Sequence, residues 1–384
     1  MKKRLYFIAF SLALLSVVLA LFFGCVPHGE KPPVPEVNAT VGLSYQLSED
    51  GTSYTLTGRG EATDVNLVIP SEHEGKPVTA ISSDAFAPDQ TLVSIYIPAT
   101  IEQIGARAFV GCPKLGSIET EAGGRYTAVG NCLIDTKTSI LMRGCNNSVI
   151  PEVKYIASSA FEGCIDLKSV EIPSSVIDIG SDAFMGCTSL YAIDLGHFIT
   201  YLSDGLFRDC TSLVNVHIPD HIVLVGEETF AGCTSLPTVY LPDSVAFIGE
   251  SAFSGCTSLG HINLPKNLTC IYTGTFKGCI ELNLIEIPEN VKTIEAGAFE
   301  GAGLFYIRIP STVVKVESLA FLDCGLTFVD IEAGVICVQD LAFKGCQWLR
   351  QIRCGDAEQP EEWGDLLAGC PASTRVTWGF DFAN

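Results

Sequence analysis

Apolar and polar residues alternate with a short period along much of the chain, and the segment AFEGCIDLKSVEIPSSVIDIG at residues 160–180 shows the pattern in full. Val170 and Ile172 flank one polar residue, which is the spacing of a β-strand that buries one face. Pro173 ends this strand, because proline has no N–H to donate to a neighbouring strand. A second apolar pair follows, and Gly180 permits a tight turn before the sequence SDAF, where we expect a short helical piece.

The same pattern recurs with a nearly constant period. The phenylalanine near the start of each unit returns every 23 residues in most steps, every 22 in the last two, and once after 52. These residues are Phe86, Phe109, Phe161, Phe184, Phe207, Phe230, Phe253, Phe276, Phe299, Phe321 and Phe343. A unit of this length cannot bury its apolar residues alone, so neighbouring units must stack. We therefore predict a repeat solenoid over residues 81–354, with a strand and short helical or irregular segments in each 22–23-residue unit.

The units follow A-F-x-G-C-x-x-L-x-x-I-x-I-P-x-x-V-x-x-I-G, and the first part of this motif is unaltered at Ala183–Leu190 and Ala252–Leu259. The motif resembles the BspA-like leucine-rich repeat proteins of bacterial cell surfaces. The resemblance covers residues 41–384. It is specific for the fold and implies adhesion, or binding to other cells or to extracellular material, as the function.

Three segments flank or interrupt the repeats. Residues 41–80 look like the N-terminal hairpin cap of that family, with a turn at Asp50-Gly51. Residues of about 120–152 fill the step of 52 residues and look like the hairpin insertion that the family often carries. Residues 355–384 lose the period and bring in Trp363 and Trp378. We expect an irregular C-terminal cap there, because an open solenoid end exposes core.

The chain begins like an exported protein. Three basic residues at 2–4 precede an apolar run that continues to Phe23, which is typical of a signal peptide over residues 1–24. Gly24-Cys25 resembles the processing site of bacterial lipoproteins, which implies lipidation of Cys25. The run is long enough for an uncleaved membrane anchor, and simple secretion is a further alternative. Residues 25–40 contain four prolines, and we predict an extended tether.

Composition and charge limit the partners. The chain has 384 residues, of which 47% are apolar and 17% charged, so a large core can form. The formal net charge of −21 argues against nucleic acid and against anionic membrane surfaces, since both repel an acidic protein. We expect a protein anchored outside a bacterial cell that meets extracellular or host-surface proteins.

The chain has 16 cysteines, and many of them sit three residues after the repeat phenylalanine. Those are Cys112, Cys164, Cys187, Cys210, Cys233, Cys256, Cys279, Cys324 and Cys346. A column offers one thiol per turn, whereas a metal site needs several converging ligands, and parallel side chains suit a disulfide poorly. Ala302 replaces the cysteine in one unit. We therefore predict buried structural thiols, and leave open whether Cys132 and Cys145 pair across the insertion.

No catalytic or cofactor motif is present. None of the six histidines belongs to a metal-binding pair such as H-E-x-x-H, and the chain lacks a nucleophile elbow, a phosphate loop and a dinucleotide fingerprint. The acidic residues follow the repeat and do not have calcium-loop spacing. We predict a non-enzymatic protein without a cofactor or metal.

One stretch of the outward strand face departs from its polar character. Leu284, Tyr306 and Phe328 occupy one phase of three successive predicted strands, with Arg308 beside them. The neighbouring Glu286, Arg308 and Asp330 alternate in sign, which suits cross-strand pairing. An aromatic stripe rimmed by charge predicts a protein-binding patch, unless the C-terminal cap or a crooked strand covers it.

Tyr96 and Tyr240 lie on the same face and complete the candidate residues. A carbohydrate-binding component of a surface nutrient-uptake system is the alternative function. It requires aromatic platforms spaced for sugar rings, and these two tyrosines are isolated from one another.

Overall fold

The computed structural model describes residues 38–382, and every regular element in that range is a β-strand. Most strands belong to two series that each contribute one short strand to a turn of the chain. The first series is β3 (Asn66–Val68), β6 (Ser94–Ile97), β8 (Ser117–Thr120), β13 (Ser169–Glu171), β15 (Ala192–Asp194), β17 (Asn215–His217), β19 (Thr238–Val239), β21 (His261–Ile262), β24 (Tyr306–Ile309), β26 (Phe328–Ile331), β28 (Gln351–Cys354) and β29 (Arg375–Thr377).

The second series lies on another side of the turns. It is β5 (Lys76–Ile81), β7 (Gln103–Ile104), β11 (Ile140–Arg143), β12 (Tyr155–Ile156), β14 (Asp178–Ile179), β16 (Tyr201–Leu202), β18 (Leu224–Val225), β20 (Phe247–Ile248), β22 (Cys270–Ile271), β23 (Thr293–Ile294), β25 (Lys315–Val316) and β27 (Cys337–Val338). The remaining strands are β1 (Ser44–Leu47), β2 (Tyr54–Gly58), β4 (Glu72–His73), β9 (Tyr126–Val129) and β10 (Cys132–Asp135).

Strands of one series pair in parallel, and the pairing offset equals the repeat length. Ser169 pairs with Ala192, and Ala192 pairs with Asn215. Where the unit shortens to 22 residues, Tyr306 pairs with Phe328. Equivalent side chains therefore stack in columns. This arrangement confirms the predicted solenoid of 22–23-residue units.

The inward positions fill the core. Val170 and Ile172 are both 8% exposed, whereas Glu171 between them is exposed. The repeat phenylalanines form a column whose neighbouring ring centroids are 5.1–5.9 Å apart, with planes within 24° of parallel. Burial of each such ring stabilises the fold by roughly 1.5–3 kcal/mol. The column breaks at the insertion, where Phe109 and Phe161 belong to separate core clusters.

The segment that leads into each phenylalanine differs from the prediction, because no α-helix lies among residues 38–382. The N–H of Asp182 donates to the carbonyl of Asp204 at 2.9 Å, and that of Phe184 to Leu206 at 3.0 Å, one turn further on. Asp182 also has a φ of 57°, a left-handed conformation that an α-helix excludes. Alternate N–H groups thus pair between turns and are not free for helical bonds, so SDAF forms single turns in a ladder.

The N-terminal cap is a hairpin, as predicted. β1 and β2 pair antiparallel, and Gly51 has a φ of 70° in the turn between them. The carboxylate of Asp50 accepts hydrogen bonds from the N–H of Thr52 at 3.0 Å and from the hydroxyl of Ser48 at 2.7 Å, which fixes this turn. β2 then pairs in parallel with β5, so the hairpin covers the first turn of the second series.

The insertion is a three-stranded meander. β9 pairs with β10 and β10 with β11, both antiparallel. Gly130 and Asn131 connect the first pair with φ values of 59° and 58°, the left-handed conformations that a two-residue hairpin turn requires. β11 pairs in parallel with β12, so the insertion continues directly into the second series on its C-terminal side.

The C-terminal cap combines one further strand with irregular segments. β29 extends the first series beyond β28. Trp363 is 5% exposed, and its indole Nε1 donates to the carbonyl of Val335 at 3.1 Å. Trp378 packs against it with ring centroids 5.9 Å apart. The two tryptophans thus cover the last turn of the core.

The predicted signal peptide at 1–24, Cys25 and all but the last three residues of the 25–40 tether lie outside the described residues. Within residues 38–382, no helix is long and apolar enough to cross a membrane.

Candidate binding surface

The cysteine column is part of the core. The thiols of the regular turns each donate a hydrogen bond to the carbonyl oxygen of the phenylalanine one turn earlier, with sulfur–oxygen distances of 2.8–3.2 Å. These pairs are Cys112–Phe86, Cys187–Phe161, Cys210–Phe184, Cys233–Phe207, Cys256–Phe230, Cys279–Phe253, Cys324–Phe299 and Cys346–Phe321. The same carbonyl also accepts a backbone N–H, as Phe207 does from Cys210 at 3.0 Å. The thiol therefore provides the hydrogen bond to the second lone pair of that carbonyl oxygen.

Burial keeps these thiols protonated. It raises the pKa of Cys210, Cys279 and Cys346 to about 12 in each case. A buried neutral thiol is neither a nucleophile nor a metal ligand at neutral pH. Cys132 and Cys145, the pair left open by the sequence, are both buried free thiols, and they belong to different core clusters.

Four exposed, mostly apolar side chains lie on or next to the strand positions of the first series, on four successive turns. We call Tyr240, His261, Leu284 and Phe305 the exposed row. Tyr240 is 70% exposed, Leu284 62% and Phe305 54%. The rings of Tyr240 and His261 have centroids 6.1 Å apart. None of these side chains contributes to the core, so they are available for contact with a partner.

A side-chain amide positions Tyr240. β19 and β21 pair for only two residues, and the ladder stops before Tyr240. The side chain of Asn263 then replaces the ladder, because its Oδ1 accepts from the N–H of Leu241 at 3.1 Å and its Nδ2 donates to the carbonyl of Leu241 at 2.7 Å. Tyr240 precedes this clamped residue and stands clear of the sheet.

Leu284 does not lie on a strand, contrary to the prediction, because the first series has no strand between β21 and β24. Tyr306 and Phe328 do lie on neighbouring strands, but both are only half-exposed. Phe305 packs edge-on against Phe328 with ring centroids 6.1 Å apart. The predicted stripe is therefore not uniform: Leu284 is its one well-exposed member.

A charge network occupies the other half of the predicted patch. Asp330, whose side chain is 4% exposed, accepts two hydrogen bonds from Arg353 at 2.6 and 2.5 Å and one from the hydroxyl of Tyr306 at 2.7 Å. Burial, assisted by this carboxylate, raises the pKa of Tyr306 to about 12. Tyr306 is thus a fixed element of the fold, with its hydroxyl already engaged.

Arg308 pairs with a different residue from the one that alternation of charge suggests. Its guanidinium contacts the carboxylate of Glu332, which also accepts from the N–H of Ser311 at 2.9 Å. Burial opposes ionisation of Glu332, but these two donors outweigh it and lower its pKa. Arg308 also lies over the ring of Phe382, 5.9 Å from its centroid.

The C-terminal segment reaches back over this network. Phe380 donates its N–H to Cys354 at 2.9 Å, and its ring lies 4.5 Å from the guanidinium carbon of Arg353. An open cleft of about 560 Å³ lies between this segment and the sheet, lined among others by Arg308, Glu332 and Phe382. The C-terminal segment therefore lies against Arg353 and beside Arg308, but the side chain of Arg308 remains 55% exposed.

Tyr96 is not part of this surface. It lies on β6 in the three-stranded sheet β3-β6-β8, which precedes the insertion, and it is half-buried. Of the candidate residues, Tyr240 and Leu284 lie in the exposed row, Tyr306, Arg308 and Phe328 lie beside it, and Tyr96 is separate.

Sequence reasoning missed several surface aromatics. Phe305 follows the repeat leucine at a position that is neither inward nor outward on a strand, so alternation gives it no signal. Phe380 and Phe382 are an alternating aromatic pair in a segment without a repeat.

A second row on the outward side of the second series was also missed. Tyr201, Leu224 and Phe247 pair in register, and the ring of Phe247 lies 4.9 Å from that of Tyr272. The repeat motif assigns only one strand to each turn, so it gives no signal for this second row.

No group of three or more histidine, cysteine or acidic side chains is placed to hold a metal ion in the described part of the chain. The candidate surface presents aromatic, aliphatic and charged side chains.

The model of the BspA type leucine-rich repeat region matches in six copies, over residues 68–139, 143–246 and 224–350. The chain belongs to the BspA-type leucine-rich repeat family. A comparison with curated proteins finds no match.

Solved structures of bacterial leucine-rich repeat proteins are similar to this BspA-type chain. A leucine-rich repeat protein from Bacteroides ovatus is 20% identical with a TM-score of 0.50, covering 88% of this chain and 98% of its own. A leucine-rich cell surface protein from Faecalibacterium prausnitzii is 23% identical with a TM-score of 0.48, covering 90% and 95%. The pneumococcal vaccine antigen PcpA is 14% identical with a TM-score of 0.41, covering 88% and 83%. The Bacteroides ovatus structure shows the shared fold.

Proposed function

We propose that this BspA-type protein is displayed on the outer face of a bacterial cell, held there by a lipid on Cys25, and binds extracellular or host-surface proteins without catalysing a reaction. The sequence features that support display are the basic start, the apolar run and Gly24-Cys25, followed by a proline-rich tether.

The observation that carries the binding function is the exposed row. Tyr240, Leu284 and Phe305 are each more than half exposed and lie on three of the four successive turns that the row spans. Aromatic side chains such as tyrosine are enriched among the few residues that dominate binding energy in protein interfaces, and the contacts around them exclude water. An outward sheet face can be solvated by polar side chains alone. The apolar side chains exposed here are therefore not needed for the fold, which favours a role in binding another protein.

The charge of the chain favours a partner with a basic surface. A net charge of −21 accelerates encounters with positively charged proteins and slows those with acidic ones. The row would then supply contact area, and the surrounding carboxylates would steer the approach. We expect binding to weaken as ionic strength rises.

The test compares two variants for capture by immobilised extracellular-matrix and cell-surface proteins. The row variant carries Tyr240→Ser, Leu284→Ser and Phe305→Ser. The control carries Tyr191→Ser and Phe198→Ser, which remove aromatic groups that are 60% and 57% exposed outside the row. We expect the row variant to lose at least about tenfold in affinity, as truncation of interface anchors does, and the control to bind normally.

Equal loss in both variants would remove the row from consideration. The alternative function, sugar binding in surface nutrient uptake, makes a different prediction. A glycan array run in parallel would then capture the wild-type protein while the protein panel would not.

A further inference from the structure

The second series of strands forms another accessible apolar surface. From β12 to β27, each turn presents three positions outward: the first residue of the strand, the residue just before the strand and the residue just after it. We call these positions the second-series face. The second residue of each of these strands is buried in the core. Among the outward residues, Val223 is 51% exposed, Ile177 45% and Tyr201 42%.

The four middle turns of the second-series face carry no charged side chain. They begin at Thr200 and end at Tyr272. Tyr201, Leu224 and Phe247 stand in register on neighbouring strands, and the ring of Phe247 packs against that of Tyr272. A contiguous apolar patch of this kind marks a site of interaction with another molecule.

The charge of this face differs from that of the whole chain. Its charged residues lie at its two ends, and three of them are lysines and three are carboxylates: Lys154, Asp178, Lys292, Glu295, Lys315 and Glu317. The face is therefore neutral, whereas the chain has a formal net charge of −21. Two copies of so acidic a chain repel one another, and the repulsion is smallest where two neutral faces meet.

Three of the charged groups on this face have no ion partner. Asp178, Lys154 and Lys292 form no salt bridge in the part of the chain that the structure describes. The carboxylate of Asp178 accepts a hydrogen bond from the hydroxyl of Tyr201 at 2.8 Å. The Nζ of Lys292 donates to the carbonyl of Thr312 at 3.3 Å. An unpaired carboxylate thus stands at one end of the apolar strip and an unpaired ammonium group at the other.

These two charges are equally far from the middle of the face. The midpoint lies between the turns of Leu224 and Phe247. Asp178 lies two turns before Leu224, and Lys292 lies two turns after Phe247. A two-fold axis that runs along the strands through this midpoint therefore brings Asp178 of one copy against Lys292 of another. The same axis places Leu224 of each copy against Phe247 of the other.

We propose that the second-series face binds the same face of a second copy of this chain, with the two stacks antiparallel. The two-fold axis also sets Lys154 opposite Glu317, because these residues lie three turns from the midpoint on either side. An axis along the stack would instead set Asp178 against Asp178, a like-charge contact that disfavours that dimer. The antiparallel contact is self-complementary and closes at two copies. It leaves the exposed row on the first series free, and the failure of either proposal leaves the other intact.

Carbodiimide cross-linking tests this contact, because it joins a carboxylate directly to an amine that touches it. Within one chain Asp178 and Lys292 are five turns apart, roughly 24 Å at the spacing of neighbouring strands, so an amide between them joins two copies. We expect this product in the full chain in a non-ionic detergent, identified by peptide mapping, in an amount that rises with protein concentration. Lys266 and Asp243 lie 3.3 Å apart in the same chain. Their internal product should form at every concentration and reports an intact fold.

A substitution at the middle of the face tests the apolar contact. Leu224→Lys places like charges on both sides of the two-fold axis and should reduce the Asp178–Lys292 product at least about tenfold. The internal control product should remain, which separates loss of the dimer from loss of the fold. The row variant defined above is the matched control and should dimerise normally.

Charge reversal tests the pairing itself. Asp178→Lys alone and Lys292→Asp alone each create a like-charge contact and should lower the amount of Lys154–Glu317 product between copies. The two substitutions together exchange the charges and should restore it. Formation of the internal control product without either product between copies would overturn the proposal. Products that join the second-series face to a different protein would overturn it as well.

Discussion

The thiol of Cys233 donates its hydrogen to the carbonyl oxygen of Phe207, 3.1 Å away and one turn earlier in the stack. That carbonyl already accepts the N–H of Cys210, so the thiol provides its second hydrogen bond. The relationship repeats through the column, which explains why cysteine is used where a small apolar group would fit. Ala302 occupies the cysteine position of one turn, so the fold tolerates the loss of one such thiol.

Replacing Cys233 by alanine should therefore destabilise the fold modestly. We expect a decrease of about 1–2 kcal/mol in the free energy of unfolding, because a hydrogen bond and one buried heavy atom are lost. Urea titration followed by circular dichroism measures it. Ala302→Cys is the reverse experiment and should stabilise the protein. A neutral result for both substitutions would show that the thiol acts only as filler.

Stability should fall at alkaline pH. The thiols titrate near 9.0 when exposed and near 12 in the fold for Cys210, Cys279 and Cys346. Above pH 9 the unfolded chain loses these protons while the folded chain retains them, so the unfolded state is favoured until the folded pKa is reached. Each such thiol lowers the free energy of unfolding by about 1.4 kcal/mol per pH unit in that window.

Urea midpoints between pH 8 and 11 test this dependence. A triple variant with Cys210, Cys233 and Cys256 changed to alanine should show a shallower slope, by about one proton for each replaced thiol. A midpoint that does not change up to pH 10.5 would contradict the raised pKa values.

Asn263 should be sensitive to conservative substitution. Its amide both accepts from and donates to the backbone of Leu241, which is buried. Asn263→Asp keeps the acceptor and loses the donor, so the buried carbonyl of Leu241 is left unsatisfied. We expect a loss of about 1–3 kcal/mol, and a similar loss for Asn263→Ala. Hydrogen exchange at the Leu241 amide should accelerate in Asn263→Ala; unchanged protection there would show that the amide clamp is not what holds this backbone.

Asp330 should hold the C-terminal segment in place. In Asp330→Asn the carboxylate charge that pairs with Arg353 is lost. The guanidinium of Arg353, against which the ring of Phe380 packs, is then held less firmly. We expect a loss of about 1–3 kcal/mol and a change in the fluorescence of Trp378, which is close in sequence to Phe380. Tyr306→Phe removes only one hydrogen bond from the same carboxylate and should cost about 1 kcal/mol. If neither Asp330→Asn nor Tyr306→Phe changed the free energy of unfolding, the network would not contribute to stability.

The repeat was predictable because its period is carried by residue identity. Phe161, Cys164 and Leu167 recur at fixed intervals, and each is buried as that period requires. The ladder through Asp182 was not predictable in the same way, because backbone N–H groups of any residue can make it. A short polar segment before an apolar run is compatible with both a helical turn and this ladder.

The candidate surface was only partly predictable, because exposure depends on neighbours that the repeat does not specify. Asp330 has an outward phase but is buried by Arg353 and by the turns around it. Leu284 and Tyr306 have equivalent phases, yet the former is exposed and the latter half-buried. Local alternation identifies the face of a strand, and the cap and the side chains of adjacent turns decide what remains accessible.

The equality of pairing offset and unit length has an evolutionary consequence. Removal of residues 230–252 would join Thr229 to Phe253, and Phe253 would stack on Phe207 as Phe230 now does. Cys256 would meet the same carbonyl that now accepts the thiol of Cys233. Unequal recombination between units can therefore shorten or lengthen the molecule without redesign of its interior, while each event adds or deletes surface residues such as Tyr240. The number of turns and the side chains exposed on them can thus change together in single genetic steps.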